Sequence, residues 1–414
     1  MRTDPLVTWH VVEATTPPLL PAPDHRLLPS RSRTPAGRWA GAMEITTVRM
    51  SEPRELLALV PHRLGFRPRD SAVAISLRSP RGRVGLVVRV DLPHLADPQG
   101  GPALARRLLA YLGRDEAEHA VVVLYTDDDP RDRPGPAQRA AEHLRDAAEP
   151  SLGNIPVWVV TRTGYLSLDC VDDCCPPGGR PLVDLDSTQI GAQLVLAGSA
   201  VADSRDDIGR IRSAGAERRR TVARARRRWE SHREEALVGG PDAVASWRLD
   251  SVVAWREVVR RMSTPEGHGT RVPWGRLEAG LDDRRVRDAV LVALVPGTGD
   301  LAERSVAAGD DDLDGALGAA MAKIIDPAQA VTPPEPATAA HVAALEGVVA
   351  HSRAGAQAPA LTLLALLSWW QGDGARARVL LDGALDSNPG YRLAVLLDDA
   401  LGAAIPPGWV RRSA

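Results

Sequence analysis

Three cysteines fall within six residues, in Cys170-Val171-Asp172-Asp173-Cys174-Cys175, and the chain has no others. Thiolates at such spacing bind soft metal ions, and structural zinc takes four ligands with sulfur at about 2.3 Å. Here the set is incomplete. No second cysteine pair or histidine pair follows at finger-like spacing, so a fourth ligand has to be an aspartate of the loop or a distant histidine such as His62, His94, His119 or His143. Three uses stay open: structural thiols, a zinc site at Cys170, Cys174 and Cys175, or an oxidisable Cys170–Cys174 pair that serves as a thiol redox sensor. An odd count of closely spaced thiols does not make a secreted disulfide framework, and it points to a reducing cytoplasm.

Aspartates at strand ends are the second set. Ligands of parallel sheets bind beyond the carboxyl ends of the strands, and Thr126-Asp127-Asp128-Asp129 follows the apolar run Ala120–Tyr125 at such a place. In Arg89-Val90-Asp91 the two-residue spacing puts both charges on one face of a strand. If these ends are neighbours, Asp91, Asp127 and Asp128 can hold a hard cation or act as acid and base in metal-assisted hydrolysis. The simpler arrangement pairs Arg89 with Asp91 and leaves the aspartate triplet before Pro130 as a solvated turn. No phosphate-binding Gly-x4-Gly-Lys-Ser/Thr, no Gly-x-Ser-x-Gly and no His-Glu-x2-His occurs.

Pro61-His62-Arg63-Leu64-Gly65-Phe66-Arg67-Pro68-Arg69-Asp70-Ser71 reads as a helix stop at Gly65, an aromatic plug at Phe66 and a turn into a strand. With Arg89-Val90-Asp91-Leu92-Pro93, the exit Pro176-Pro177-Gly178 from the cysteine loop, and Pro389-Gly390-Tyr391-Arg392-Leu393-Ala394, it resembles a bacterial family, the domain of unknown function 4192. The residues that carry the resemblance are Pro61, Gly65, Phe66, Pro68, Ser71, Arg89, Asp91, Pro93, Pro176 and Gly178, and it implies no activity. His62 departs from the pattern, which has an aromatic or apolar residue there.

The elements that position these residues follow from periodicity. Residues 1–42, rich in Pro, Arg, Ser and Thr, lack any apolar period and read as a disordered tail. From 43 to 205, Ala72–Leu77 and Val84–Val90 are strands joined by a hairpin, Ala120–Tyr125 and Val157–Thr161 are further strands, and helices lie between. Strand and helix in alternation predict βαβ crossovers and a mainly parallel sheet, an α/β domain. After 205 the chain reads as all-α. Residues 206–326 open with a basic helix over 210–236, Pro327–Pro336 is a proline-rich linker, and 337–408 forms helical hairpins. Ala365-x3-Trp369-x2-Gly372-Asp373-x3-Ala377 resembles one unit of a tetratricopeptide repeat.

Charge bounds the partners. A net charge of -2 gives no global pull on nucleic acid or an anionic membrane. Arg210–Arg228 holds nine arginines against one glutamate, a local surface on which nucleic acid can be gripped, although a charge run is more often a solvated face. No apolar run approaches the roughly 18 residues of a membrane helix. The expectation is a cytoplasmic binding, regulatory or scaffold protein. Its α/β domain senses a ligand, and its helical half docks a protein partner through an exposed apolar groove across 340–403.

Overall fold

The computed structural model describes residues 8–10, 52–79, 82–128, 135–170, 172, 174–176, 178–264, 272–307 and 313–412. Of the expected tail only β1 (Thr8–His10) is among them, and Asp129, Pro130, Asp173 and Pro177 lie outside. Helix α1 (Pro53–Leu64) precedes the hairpin of β2 (Ser71–Arg78) and β3 (Arg83–Asp91). Helices α2 (Leu92–Leu95) and α3 (Gly101–Arg114) cross to β4 (Ala117–Tyr125), and α4 (Pro136–Leu152) crosses to β5 (Val157–Val160). Strands β6 (Gly164–Ser167) and β7 (Arg180–Pro181) complete a seven-stranded sheet in the order β1-β3-β2-β4-β5-β6-β7.

The sheet is mixed, and the expected mainly parallel arrangement is not found. Only β4 and β5 pair in parallel; every other neighbouring pair is antiparallel. The cause is the position of β2. The hairpin folds β2 back between β3 and β4, antiparallel to both, so the strands joined by the first crossover never touch.

Both faces of the sheet are covered, which is why its strands read as continuous apolar runs. Ala72, Ala74, Ala120, Val122 and Leu124 pack with α3 and α4, while Val73, Ile75, Val121, Val123 and Tyr125 pack with Leu57 and Val60 of α1. Helices α5 (Val183–Asp186) and α6 (Gln189–Leu196) return to the α1 side, and α6 is tied there by Glu55, which accepts from the backbone N–H groups of Gln189 and Ile190.

The helical half comprises α7 (Ala216–Gly239), α8 (Pro241–Met262), α9 (Trp274–Asp282), α10 (Arg284–Ala293), α11 (Leu301–Arg304), α12 (Leu313–Ile325), α13 (Glu335–His351), α14 (Ala358–Trp370), α15 (Gly374–Ser387), α16 (Arg392–Gly402) and α17 (Gly408–Arg412). The basic helix starts at Ala216, after Gly215, and docks Val222 and Arg226 against the protein. A Cβ at Gly275 would collide with the backbone of α7, so glycine there lets α9 approach closely. Helices α14 and α15 form the expected hairpin at Gly372, whose φ of 87° suits glycine. Helix α14 is enclosed on nearly every side. The expected apolar groove across 340–403 is therefore missing: among the described residues of that stretch, only Val395 and Leu396 are exposed large hydrophobics. The Pro327–Pro336 stretch is packed, since Ala330 is buried and the Val331 carbonyl accepts from the Trp370 indole. The two halves meet where Arg107 and Tyr111 of α3 both donate to the Gly402 carbonyl.

His341 of α13 stacks on Trp255 with ring centroids 5.7 Å apart, and burial next to Arg256 lowers its pKa to about 4. The unfolded chain binds that proton near pH 6.5, so stability is complete above this value and falls as the pH drops towards 4. The shift corresponds to about 3 kcal/mol. Urea unfolding at pH 7 and pH 4.5 should show a smaller pH-dependent loss in His341→Phe than in the native chain; equal losses would place the acid sensitivity elsewhere.

Candidate functional site

The carboxyl ends of β4 and β5 open into a cleft of about 750 Å³ on the α1 side of the sheet. Its wall on one side is α1, through Leu57, Ala58, Pro61 and His62. Strand ends Tyr125-Thr126-Asp127 and Val160-Thr161-Arg162 form the floor, and Leu182, Leu185, Asp186, Gly191, Val195, Ser199 and Val201 form the opposite side. Arg67, Pro68, Arg69 and Asp70 stand at the rim.

The family-pattern residues build this rim. Gly65 ends α1 with φ 75°, and the chain turns so that Phe66 is buried and bridges Ala202. The backbone N–H of Arg67 donates to the Ala202 carbonyl, and that of Ala202 to the Gly65 carbonyl. Ser71, wholly buried, accepts from Arg89 Nε at 2.8 Å and donates to the Arg69 carbonyl. The Leu92 N–H donates to the Asp70 carbonyl, so the 61–71 and 89–93 segments lock together, with Pro93 in the first turn of α2. These residues shape the backbone that the cleft is cut into.

Two electrostatic features stand out. Tyr125 is buried, its hydroxyl has no hydrogen-bond partner among the described residues, and burial raises its pKa. A buried polar group without a partner is uncommon in folded proteins, and each instance calls for an explanation. His62 lies 2.9 Å from Ser199 through Nδ1 and the hydroxyl; burial and the Arg67 charge lower its pKa. A serine beside an imidazole is the start of a nucleophile–base pair, but no described hydrogen bond fixes the other ring nitrogen, as the orienting third group of such a site does. Neither feature was visible from spacing. The only sequence signal was a single tyrosine closing the apolar run Ala120–Tyr125.

The strand-end aspartates do not converge. Asp91 and Tyr125 flank Ser71 on opposite sides of β2, which separates them by two strand spacings, about 10 Å. Asp91 pairs with Arg89 at 2.6 Å and is absent from the cleft lining. Asp127 lines the cleft and pairs with Arg162 at 3.0 Å; Asp128 is exposed and its N–H donates to the Thr126 hydroxyl. Asp91, outside the cleft and across β2, is therefore not placed to share a cation or a substrate proton with Asp127 or Asp128.

The cysteines do converge. Cys170 Sγ and Cys174 Sγ are 3.2 Å apart, and all three sulfurs lie within 4.8 Å of one another. None of the three is in a disulfide; Cys175 is buried, Cys170 half-buried and Cys174 exposed. A hydrogen bond from the Asp172 backbone, with a smaller contribution from Cys174, lowers the Cys170 pKa, while its own bond to Cys170 raises that of Cys174. Sulfurs bound to one tetrahedral zinc are about 3.8 Å apart, given a bond of about 2.3 Å, so the cluster is close to the spacing a metal needs. The loop leaves β6 at the end of the sheet opposite the cleft, since β6 runs antiparallel to β5. Thiols and Asp127 are therefore separate sites.

On the basic helix, Arg218, Arg219, Arg220, Arg224, Arg227 and Arg228 are exposed and Arg226 is buried against Glu278, while Arg210 lies ahead of the helix and pairs with Asp207 at 3.1 Å. No helix of the described residues is long and apolar enough to cross a membrane.

The family model for the domain of unknown function (DUF4192) matches residues 53–408, so the chain belongs to that family. No curated protein and no solved structure matches it.

Proposed function

We propose that this member of the domain of unknown function 4192 family is a ligand-binding protein whose α/β domain takes a small molecule in the cleft at the ends of β4 and β5. The carrying observation is the cleft together with the Tyr125 hydroxyl beneath its floor. That hydroxyl has no accessible surface and no partner among the described residues, so that a small turn of the ring presents it to a ligand. A ligand with an apolar body and a hydrogen-bonding group at its inner end satisfies it, with Leu57, Leu182 and Leu185 against the body and the rim arginines at its outer end. The helical half then serves as a buttress, since α14 is enclosed and presents no groove.

Fragment soaking into crystals tests this. Fragments should gather in the cleft with a polar atom on the Tyr125 hydroxyl; fragments found only elsewhere, or not at all, would remove the reading. Tyr125→Phe should raise the stability of the free protein by about 1–2 kcal/mol, because it deletes an unsatisfied buried group, and should weaken fragment binding. A variant less stable than the native chain would mean that the hydroxyl already has a partner.

A second reading rests on the sulfur geometry. Cys170, Cys174 and Cys175 hold a zinc ion, with the fourth position facing solvent beside Asp172, whose carboxylate lies 4.0 Å from Cys170 Sγ. Protein purified without chelator or metal-affinity tag should carry one zinc per chain by mass spectrometry, lost in Cys170→Ser/Cys174→Ser. Absence of metal, together with a Cys170–Cys174 disulfide after mild oxidation, would favour the redox-sensor alternative instead.

A further inference from the structure

The chain that leaves the thiols becomes a wall of the cleft. Cys175 is buried against the α4 side of the sheet, and seven residues later Leu182 lines the cleft. The described part of this connection is clamped to β6 at several points. Arg180 Nε donates to the Cys174 carbonyl, and the Arg180 side chain also bonds that of Tyr165. Strand β7 pairs with β6 through Tyr165 and Arg180 and through Gly164 and Pro181. The backbones lie so close that a Cβ on Gly179 would sit 2.8 Å from the Tyr165 carbonyl oxygen, and one on Gly164 would collide with the Gly178 carbonyl. Tyr165 is itself buried beside Trp158, one strand from the floor residue Val160. Pro181 then delivers the chain to Leu182 and α5, level with the hairpin tip Thr161-Arg162 that forms part of the floor.

We infer that a zinc ion on Cys170, Cys174 and Cys175 controls the cleft from the far end of the sheet, by fixing the Arg180–Asp186 strap that forms its wall. This rests on the zinc reading given above. Three sulfur bonds to one ion hold Cys170, Cys174 and Cys175 in one geometry, and Arg180 passes that restraint to β7 because its one side chain joins Cys174 to the sheet. Helix α5 (Val183–Asp186) has no fully buried side chain, and among its residues only Leu185 packs against the α1-side core, so a short, weakly anchored element forms this part of the wall. The cleft wall thus takes its order from the metal site, and loss of the ion, by chelation or thiol oxidation, loosens it.

Hydrogen–deuterium exchange of the full chain, stripped with a chelator and then given stoichiometric zinc, tests the coupling. Zinc should slow amide exchange across 180–191 at least about fivefold, and not in Cys170→Ser/Cys174→Ser. Arg180→Ala supplies the decisive comparison: it should keep one zinc per chain yet lose the protection of 182–191. If zinc binds to the native chain and exchange in 180–191 is unchanged, the coupling fails while the zinc reading stands. If no zinc binds under these conditions, both fall. Equal protection in Arg180→Ala and the native chain would remove Arg180 as the link and overturn the mechanism proposed.

Discussion

Trp370→Ala should destabilise the protein by about 3–5 kcal/mol, the range for truncating a fully buried tryptophan. Trp370 has no exposed surface, and it sits on α14, around which the helical half is built. Its indole donates to the Val331 carbonyl at 3.0 Å, while its own carbonyl accepts from the Trp409 indole at 2.7 Å. Truncation leaves a cavity and strands the Val331 carbonyl, and both costs act on the segment that joins α12 to α13. Trp370→Phe keeps most of the volume and should lose only about 1–2 kcal/mol, for the missing hydrogen bond. Urea unfolding followed by far-ultraviolet circular dichroism measures both. A loss below about 1 kcal/mol in the alanine variant would show that α14 is not the centre of the helical core.

Arg226→Ala should cost about as much, 3–5 kcal/mol, for an electrostatic reason. Glu278 is buried on α9 and its carboxylate accepts from Arg226 at 3.3 Å and from the Arg353 N–H at 3.2 Å. Burial raises the Glu278 pKa even with these partners. Without Arg226 the buried charge is poorly compensated, and protonation relieves the cost. The expected signature is therefore a deficit that is largest near neutral pH and shrinks as the pH falls through the raised pKa of Glu278. Arg226→Met with Glu278→Leu removes both charges and should recover much of the stability. A deficit in Arg226→Ala independent of pH would assign the loss to packing of the arginine stem instead.

Periodicity made most of the elements legible and little of the pairing. The runs at 72–77, 84–90, 120–125 and 157–161 became β2, β3, β4 and β5. Which strands would be neighbours was not readable, because β2 meets β4 through a contact that no local pattern encodes. Strands β6 and β7, four and two residues long, escaped for want of any period. Helix α9 also went unseen; with nine residues it is too short for an apolar period to repeat. Of the candidate sites, the cysteine cluster was legible because its members are adjacent in sequence. The cleft was not, since Tyr125, Ser199 and Leu182 are brought together only by tertiary structure. Asp91 and Asp127 were placed at the correct edge, but the inserted strand kept them apart.

That inserted strand also bears on how the chain is made. Synthesis runs from the N-terminus, so the β2–β3 hairpin leaves the ribosome before β4 exists. Ala117 lies 26 positions beyond Asp91, the end of β3, about one to five seconds of elongation at roughly 5–20 residues per second. Throughout that interval β2 offers one unpaired edge and two apolar faces, the features that invite association between neighbouring nascent chains. The interior position that later makes β2 the best-protected strand of the sheet makes it the most vulnerable one during translation.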